Sequence, residues 1–258
     1  MTTVTAPPAT RPALGGFSRA FLLIELRRLL RNRRTVIFAL VMPAVLFLVI
    51  GGQSWARTEN YGSTTMSAFV MVSVAVYGAM LATTTGGAAV AVERAAGWAR
   101  QLRLTPLSPA AYVVTKLLCA MTLGFASVAA VFIVGAVLGT PMSAAAWVSC
   151  FLLAWLTSVV FAAFGLFMGY LLPSENVTQI LSSVVALLSF GGGLFFPMHG
   201  WAETASRILP TNGVATLARL PLGDTSAASA AVGVLNVVVW TALFGLGAAM
   251  MFRRDTAR

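Results

Sequence analysis

Apolar residues in this chain occur in long uninterrupted runs that are separated by short polar segments. A transmembrane helix needs about 20 apolar residues to cross the hydrocarbon core of a bilayer. Alternating segments of about ten residues, which would predict a membrane barrel, do not occur. The pattern predicts an all-α membrane protein with six transmembrane helices, the first of which has room to begin before residue 35. The six runs are 35–50, 64–91, 110–138, 144–172, 177–196 and 227–252.

The composition supports the same class of protein. Of the 258 residues, 59% are hydrophobic and only 9% are charged, and the mean hydropathy is +0.88. A soluble domain of this size would carry roughly 25% charged residues. We therefore divide the chain into a tail at 1–16, an interfacial helix at 17–34, a six-span transmembrane domain at 35–252 and a second tail at 253–258.

The net charge of +10 is distributed unevenly along the chain. In a six-span arrangement, seven arginines precede the first span, four basic residues surround the second connection and three end the chain. These are 14 of the 17 Lys and Arg residues, and all lie on one side of the membrane. Cytoplasmic loops collect Lys and Arg, so we expect both termini in the cytosol. The same distribution argues against a nucleic-acid-binding patch.

The segment before the first span predicts a helix that lies on the membrane. Residues 1–16 are rich in Thr, Pro, Ala and Gly and are expected to be a disordered cytosolic tail. Over 17–34, four leucines fall on one side of a helical projection and three arginines fall opposite. A basic flank with no further role is the alternative. The residues are Leu22, Leu26, Leu29 and Leu30 against Arg27, Arg28 and Arg31.

Residues 93–109 form a charged segment between the second and third apolar runs. A helix over 93–104 is expected, and it ends near Thr105 because the residue before Pro106 is disfavoured in the α region. Such a segment must face water, and its composition suggests that it faces a partner.

The end of the fifth run predicts an irregular outer segment. Three glycines, 191–193, weaken the helix, and Pro197 follows them. Residues 199–223 are too polar to span the membrane and too apolar for an ordinary loop. Two short helices, broken at Pro210 and re-entering the outer leaflet, would satisfy both facts if protein shields their backbone. An ordinary folded external loop is the alternative.

Motifs for catalysis or metal binding are lacking in the sequence. No phosphate-binding loop or nucleophile elbow occurs, and Lys116 is the only lysine. His199 is the only histidine, so one chain cannot build a multi-histidine metal site. Every Asp and Glu is assigned to a loop or a span end, which disfavours an ion-driven transporter or an intramembrane enzyme. The chain is expected to have no catalytic residues, no metal, no cofactor and no energy source of its own.

The order of these parts resembles the ABC-2 type permease family, the membrane subunits of type V ABC exporters. The segment from Glu93 to Ser108 is similar to the family's E-R-x-x-G-x-x-x-x-L-x-x-T-P coupling helix, and 17–34 resembles its connecting helix. The stretch from Pro197 to Gly223 resembles its outer re-entrant pair, although Arg219 follows Thr-Leu-Ala where the family has Ala-Leu. The resemblance implies two permease chains, expected to be a homodimer, and two separate ATPase subunits that hold ATP and Mg.

The resemblance also implies roles for particular residues. Gly97 would permit close approach of the ATPase, and Trp98 and Leu102, four apart, would fill a groove on it. A basic cytosolic loop with no further role is the alternative. The expected ATPase contact comprises Glu93, Arg94, Gly97, Trp98, Arg100, Leu102 and Arg103, and the expected connecting-helix residues are Glu25, Arg27, Arg28 and Arg31.

The substrate path is assigned to the second and fifth spans. Its candidate lining and gating residues are Tyr77, Thr84, Phe190, Phe195 and Phe196. Packing is the alternative, because small and hydroxyl residues of the second span let helices approach closely, and the aromatic residues could face lipid.

Within the family, the chain most resembles drug and antibiotic exporters typified by daunorubicin-resistance permeases, on its short first external loop and its coupling segment. The expected function is therefore export of a hydrophobic or amphipathic compound across the plasma membrane. The alternatives are a polysaccharide or glycolipid exporter and a non-transporting membrane anchor or sensor subunit.

Overall fold

The computed structural model describes residues 19–97, 109–196, 198–223 and 225–257. The predicted tail at 1–16 lies outside these ranges. The described residues are mostly helical, with one short hairpin between α3 and α4. The elements are α1 (Arg19–Arg31), α2 (Arg33–Ile50), α3 (Ser54–Thr58), β1 (Asn60–Tyr61), β2 (Thr64–Thr65), α4 (Met66–Ala95), α5 (Pro109–Val137), α6 (Ala144–Thr157), α7 (Val159–Leu171), α8 (Val177–Gly191), α9 (Trp201–Ser206), α10 (Pro210–Arg219), a 3₁₀ turn (Leu220–Leu222) and α11 (Ala227–Ala257).

Four stretches in the described ranges are long and apolar enough to cross a membrane. They are α4, α5, the pair α6 and α7 taken together, and α11. The apolar parts of α2 and α8, Val36–Ile50 and Val177–Gly191, are shorter. The chain is therefore a multi-pass helical protein, and the count of six spans stays a prediction.

Helix α4 lies at the centre of the fold. None of its residues from 67 to 91 is exposed, and it packs against α5 and α7 while also contacting α2 and α8. A helix that is apolar on every side is expected to be buried on every side. The antiparallel hairpin before it, with Asn60 opposite Thr65, ends where α4 begins.

Glycines allow α4 and α7 to pack with their backbones in contact. A Cβ added at Gly165 would lie 2.1 Å from the carbonyl oxygen of Thr84, and one at Gly87 would lie 2.5 Å from that of Ala162. The hydroxyl of Thr83 donates within its own helix, to the carbonyl of Ala79 at 2.7 Å. These contacts support the packing interpretation of the small and hydroxyl residues in the second run.

Replacing Gly165 by alanine should separate α4 from α7, since the new methyl group would meet backbone atoms that cannot rotate away. We expect the free energy of unfolding in detergent to fall by about 1–3 kcal/mol, as for overpacked cores. Gly245→Ala is the matched control, because Gly245 also lies in an apolar helix but has no atom within 4 Å of the added Cβ. Equal thermal unfolding of the two variants would contradict this account of the helix crossing.

Pro43 is accommodated inside α2 by a hydrogen bond from another helix. Proline has no N–H, so the carbonyl four residues earlier, that of Ala39, loses its helical donor. The hydroxyl of Ser127 on α5 donates to that oxygen at 2.8 Å. A freed backbone group in a membrane helix needs such a partner, so this contact fixes α2 against α5.

Three predicted boundaries differ from the structure. The fifth apolar run extends to residue 196, but α8 ends at Gly191, the first of the three glycines expected to weaken the helix, and Gly193 adopts a φ of +71°. The second run was expected to end at 91, but α4 continues to Ala95, since no residue before Gly97 interrupts it. The fourth run is divided at Ser158, whose hydroxyl bonds the carbonyl of Trp155 at 2.6 Å.

The outer segment contains the two predicted short helices, α9 and α10, and Pro210 begins the second. The carbonyls between them accept hydrogen bonds from α11. Asn236 donates to the carbonyls of Arg207 and Leu209 at 2.9 and 3.1 Å, and Trp240 donates to that of Ile208 at 2.8 Å. This is the protein shielding that a re-entrant backbone requires. It supports the re-entrant prediction, and it explains why a polar Asn lies within the last apolar run.

Candidate functional site

Lys116 lies at the centre of a buried group of charged side chains. Its Nζ is 2.5 Å from Oε2 of Glu25 and 2.5 Å from Oε1 of Glu93. The three side chains are 3–6% exposed. Buried charges are tolerated when they are paired and hydrogen-bonded, so one ammonium group serves two carboxylates here.

Two further side chains complete this group, which we call the charge cluster: Glu25, Arg28, Glu93, Tyr112 and Lys116. The Tyr112 hydroxyl donates to Oε2 of Glu93 at 2.8 Å. Nη1 of Arg28 donates to Oε1 of Glu93 at 3.2 Å and lies 3.8 Å from Oε1 of Glu25. Arg28 is half exposed, so the cluster runs from the interior to the surface.

The charge cluster joins three helices. Glu25 and Arg28 lie on α1, Glu93 in the last turn of α4, and Lys116 about two turns into α5. Helices α4 and α5 are the two that border residues 98–108 along the chain. Removing one member of a buried ion pair typically costs about 3–5 kcal/mol. The cluster therefore holds α1 firmly to both helices that border the predicted coupling segment.

A cavity of about 180 Å³ lies beside the charge cluster. Thr85, Gly86 and Ala89 of α4 contribute to its wall, as do Cys119 and Leu123 of α5. Charged groups of the cluster also reach it. The cavity is therefore a recess between α1, α4 and α5 with a largely apolar wall and charged groups at one part of it.

A second feature is an aromatic group at the C-terminal end of α8. The Phe195 ring packs edge-on against Tyr77 with the ring centroids 5.3 Å apart, and it lies 5.3 Å from Phe190. The Phe190 ring stacks on Phe196 at 6.5 Å. Phe190 and Phe196 are 54% and 64% exposed, whereas Tyr77 and Phe195 are half-buried. The structure thus brings together four of the five residues assigned to the substrate path.

Thr84 is not part of this aromatic group. It lies seven residues beyond Tyr77 on α4, is 1% exposed, and is enclosed at the crossing with α7. Its hydroxyl is one of the buried polar groups for which the described residues provide no partner. Its position favours packing over a place on the path.

The structure places three of the predicted ATPase-contact residues. Glu93 points inward to the charge cluster and is 3% exposed, which corrects the expectation that it faces a partner. Arg94 also turns inward, where it donates to the carbonyl of Tyr170 at 2.8 Å. Gly97 lies two residues beyond α4 and has a φ of +72°, and apart from its chain neighbours no atom of the described residues lies within 4 Å of a Cβ added there. Trp98, Arg100, Leu102 and Arg103 lie outside the described residues, as does most of the predicted helix 93–104.

The connecting-helix prediction is modified in two respects. Helix α1 ends at Arg31 and α2 begins at Arg33, so 17–34 is not one continuous helix. Arg27 and Arg31 are exposed as expected, but Glu25 is buried, and Leu23 and Ile24 are 56% and 62% exposed. A single buried carboxylate in an amphipathic helix thus orients α1.

From the sequence, Lys116 was counted only among the basic residues around the second connection, and its pairing was not predicted. Its position carried a signal, because the chain's only lysine lies well inside an apolar run, where an unpaired charge would be costly. Such a charge requires acidic partners, and Glu25 and Glu93 were available. Their pairing could not be predicted, because 91 residues separate Glu25 from Lys116.

Comparison with known proteins finds similar sequences over most of the chain. Residues 53–250 match the family model described as ABC-2 family transporter protein. The chain is also similar to YvfS of Bacillus subtilis (strain 168), whose name proposes it as a transport permease. The identity is 26% over 177 residues, which cover 68% of this chain and 71% of that relative. Glu93, Tyr112 and Lys116 fall inside the family match, whereas Glu25 and Arg28 precede it.

Proposed function

The chain belongs to the ABC-2 family of transporter proteins, and on that premise we propose that it exports a hydrophobic or amphipathic compound. Two copies of the chain form the transmembrane pathway in the plasma membrane, with both termini in the cytosol. Two ATP-binding cassette subunits bind ATP and Mg and supply the energy. This chain contributes the pathway and the transmission of force, and the chemistry of hydrolysis belongs to the ATPase.

The charge cluster is the observation that carries this proposal. An exporter without its own motor needs a rigid connection between the ATPase contact and the membrane helices. The cluster joins α1, the end of α4 and the start of α5 through buried ion pairs at 2.5 Å. A movement of residues 98–108 would therefore displace three helices together.

Force then passes through packed helices by rigid-body motion. Helix α4 has backbone contact with α7 at Gly165 and contacts α8 as well. Tyr77 of α4 also contacts the ring of Phe195, which follows the C-terminal end of α8. Displacement at the charge cluster would thus change the aromatic contact, which is where we place the outer gate of the substrate path.

The test uses the full chain, purified from native membranes together with the ATPase that accompanies it and reconstituted into liposomes. We expect the complex to hydrolyse ATP and to move rhodamine 123, a fluorescent cationic amphiphile, across the bilayer. ADP should not support this movement. Liposomes with the ATPase alone are the control, since the membrane chain must supply the pathway.

Other results would identify the alternatives. An ATPase that responds only to a lipid-linked glycan, with no movement of the dye, would replace the proposed substrate class with polysaccharide or glycolipid. ATP hydrolysis that no candidate substrate changes, without transport, would indicate an anchor or sensor subunit. Failure of any ATPase to co-purify would contradict the proposal as a whole.

A further inference from the structure

Arg219, the last residue of α10, connects three parts of the fold. Its Nη2 donates to the Ser73 hydroxyl on α4 at 2.8 Å and to the carbonyl of Leu194. Its Nη1 donates to the carbonyl of Gly193 at 3.3 Å. The guanidinium lies 4.2 Å from the centroid of the Phe69 ring. One side chain therefore fixes α10, α4 and the turn after α8 relative to each other.

The partners of Arg219 within the described ranges are a hydroxyl, two carbonyls and an aromatic ring, with no carboxylate among them. Desolvation lowers the pKa of the guanidinium to about 10, so the group stays cationic at neutral pH. A planar guanidinium can donate to several acceptors in fixed directions and stack on a ring at the same time. These contacts therefore fix the relative positions of the groups that Arg219 binds, and they do not neutralise its charge.

The turn that Arg219 holds is also bound to the end of α8 and to α10. The amide of Leu194 donates to the carbonyl of Ser189 at 3.0 Å, and the Asn212 side chain donates to the carbonyl of Gly192 at 3.3 Å. Helix α8 has ended at Gly191, and Gly193 adopts a φ of +71° that glycine tolerates best. The next residue, Leu194, is fully buried. Phe195 follows directly, so the bonds from Arg219 to the two preceding carbonyls help to fix the position of its ring.

The contacts of Arg219 and Phe195 fall along one stripe of α4. Phe69, Ser73 and Tyr77 are spaced four residues apart and therefore lie on the same side of the helix. Arg219 contacts the first two, and the Phe195 ring contacts the third. The anchor is thus about one helical turn from the aromatic contact.

We propose that Arg219 is the positioning residue of an outer gate in which the Phe195 ring closes on Tyr77. This rests on the proposed function, because a gate has meaning only if the chain forms a path. The two half-buried rings hold each other only by dispersion and ring geometry, worth about 0.5–1.5 kcal/mol beyond the area they bury. The hydrogen bonds of Arg219 keep the turn in place so that this weak contact stays closed.

The experiment measures leakage through the complete complex without ATP. Liposomes that contain the chain and its ATPase are loaded with carboxyfluorescein, and release of the dye is followed. Arg219→Gln should release the dye several-fold faster than the unaltered chain, and so should Phe195→Ala. Because both changes open the same contact, the double variant should leak no faster than the faster single variant.

Arg207→Gln is the matched control, since Arg207 belongs to the same outer segment but is exposed and pairs with Glu203 at 2.8 Å. It should leave release unchanged. If Arg219→Gln does not fold, Ser73→Ala removes one partner of the guanidinium and should give a smaller increase. Thermal unfolding of each variant separates a local opening from a general loss of structure.

Two results would overturn the inference. A folded Arg219→Gln variant with unaltered dye release would show that the arginine does not hold a gate. If the increase in the rate of dye release in the double variant equals the sum of the increases in the two single variants, Arg219 and Phe195 act separately. ATP-driven transport by the unaltered chain is measured in the same liposomes. If the unaltered chain does not transport, the proposed function is contradicted, whereas the two results above contradict only the gate.

Discussion

Replacement of Lys116 by methionine is expected to lower the free energy of unfolding by about 3–5 kcal/mol and to abolish transport. The change removes the ammonium group that lies 2.5 Å from both Glu25 and Glu93. It leaves two carboxylates in a site where each is almost fully buried. Arg28 remains near them but is half exposed, so it cannot replace the buried cation. Thermal unfolding in detergent and transport in liposomes measure the two effects.

The triple variant Glu25→Met, Lys116→Met, Glu93→Met separates stability from transmission. It removes all three buried charges, and such replacements are often neutral or stabilising, so the fold should recover. If the charge cluster transmits force, transport should stay low in this stable variant. Full transport would show that the cluster only supports the fold. Arg207→Met, which breaks an exposed pair with Glu203, should cost at most about 1 kcal/mol. A loss of that small size for Lys116→Met would contradict the burial argument.

Replacement of Gly97 by tryptophan is expected to abolish transport and to prevent co-purification of the ATPase, while the chain still inserts into the membrane. Gly97 belongs to the predicted ATPase contact, and no atom of the described residues other than its chain neighbours would meet a Cβ added there. A large side chain there should obstruct the approach of a partner. Trp98→Asp should have the same effect, because it places a charge where we expect an apolar contact with the ATPase.

Gly139→Trp is a close control for Gly97→Trp. Both glycines follow membrane helices, both have a positive φ, +72° and +69°, and neither has an atom within 4 Å of an added Cβ. The cost of forcing a left-handed backbone on another residue, roughly 1–2 kcal/mol, is therefore similar at the two positions. Only Gly97 lies at the proposed ATPase face, so only its variant should lose the ATPase. Equal loss in both variants would mean that backbone strain alone is responsible.

Different features of the fold were predictable from the sequence to different degrees. The bounds of α5 and the start of α11 agree with the apolar runs, because hydropathy over 20 residues is a local property. The short helices α9 and α10 were also expected, from the polarity of their segment and from Pro210. The apolar run extends five residues beyond the end of α8, because it stays apolar through Phe196 while the backbone already turns at Gly193; only the three glycines indicated the earlier end.

The arrangement of the candidate site was less predictable than the helices, because it depends on contacts between residues far apart in the sequence. Glu93 was expected to face a partner because it begins a charged segment, but the segment starts inside α4 and the carboxylate turns toward α5. Arg219 was assigned only to a loose motif, although it links Ser73 and Leu194, which are 146 and 25 residues away. No spacing rule along one helix could have shown either contact.

The sequence alone determined that this is a multi-pass helical membrane protein, and it predicted that most of the basic residues lie on one side and that the motor is a separate subunit. Bilayer insertion depends on hydropathy and charge, which are summed over neighbouring residues, so both can be read along the chain. Only the tertiary structure decided that Lys116 joins α1, α4 and α5, and that Arg219 holds the turn beside Phe195. A buried charge must find its partners in space, and the packing of helices far apart in sequence determines which partners it meets.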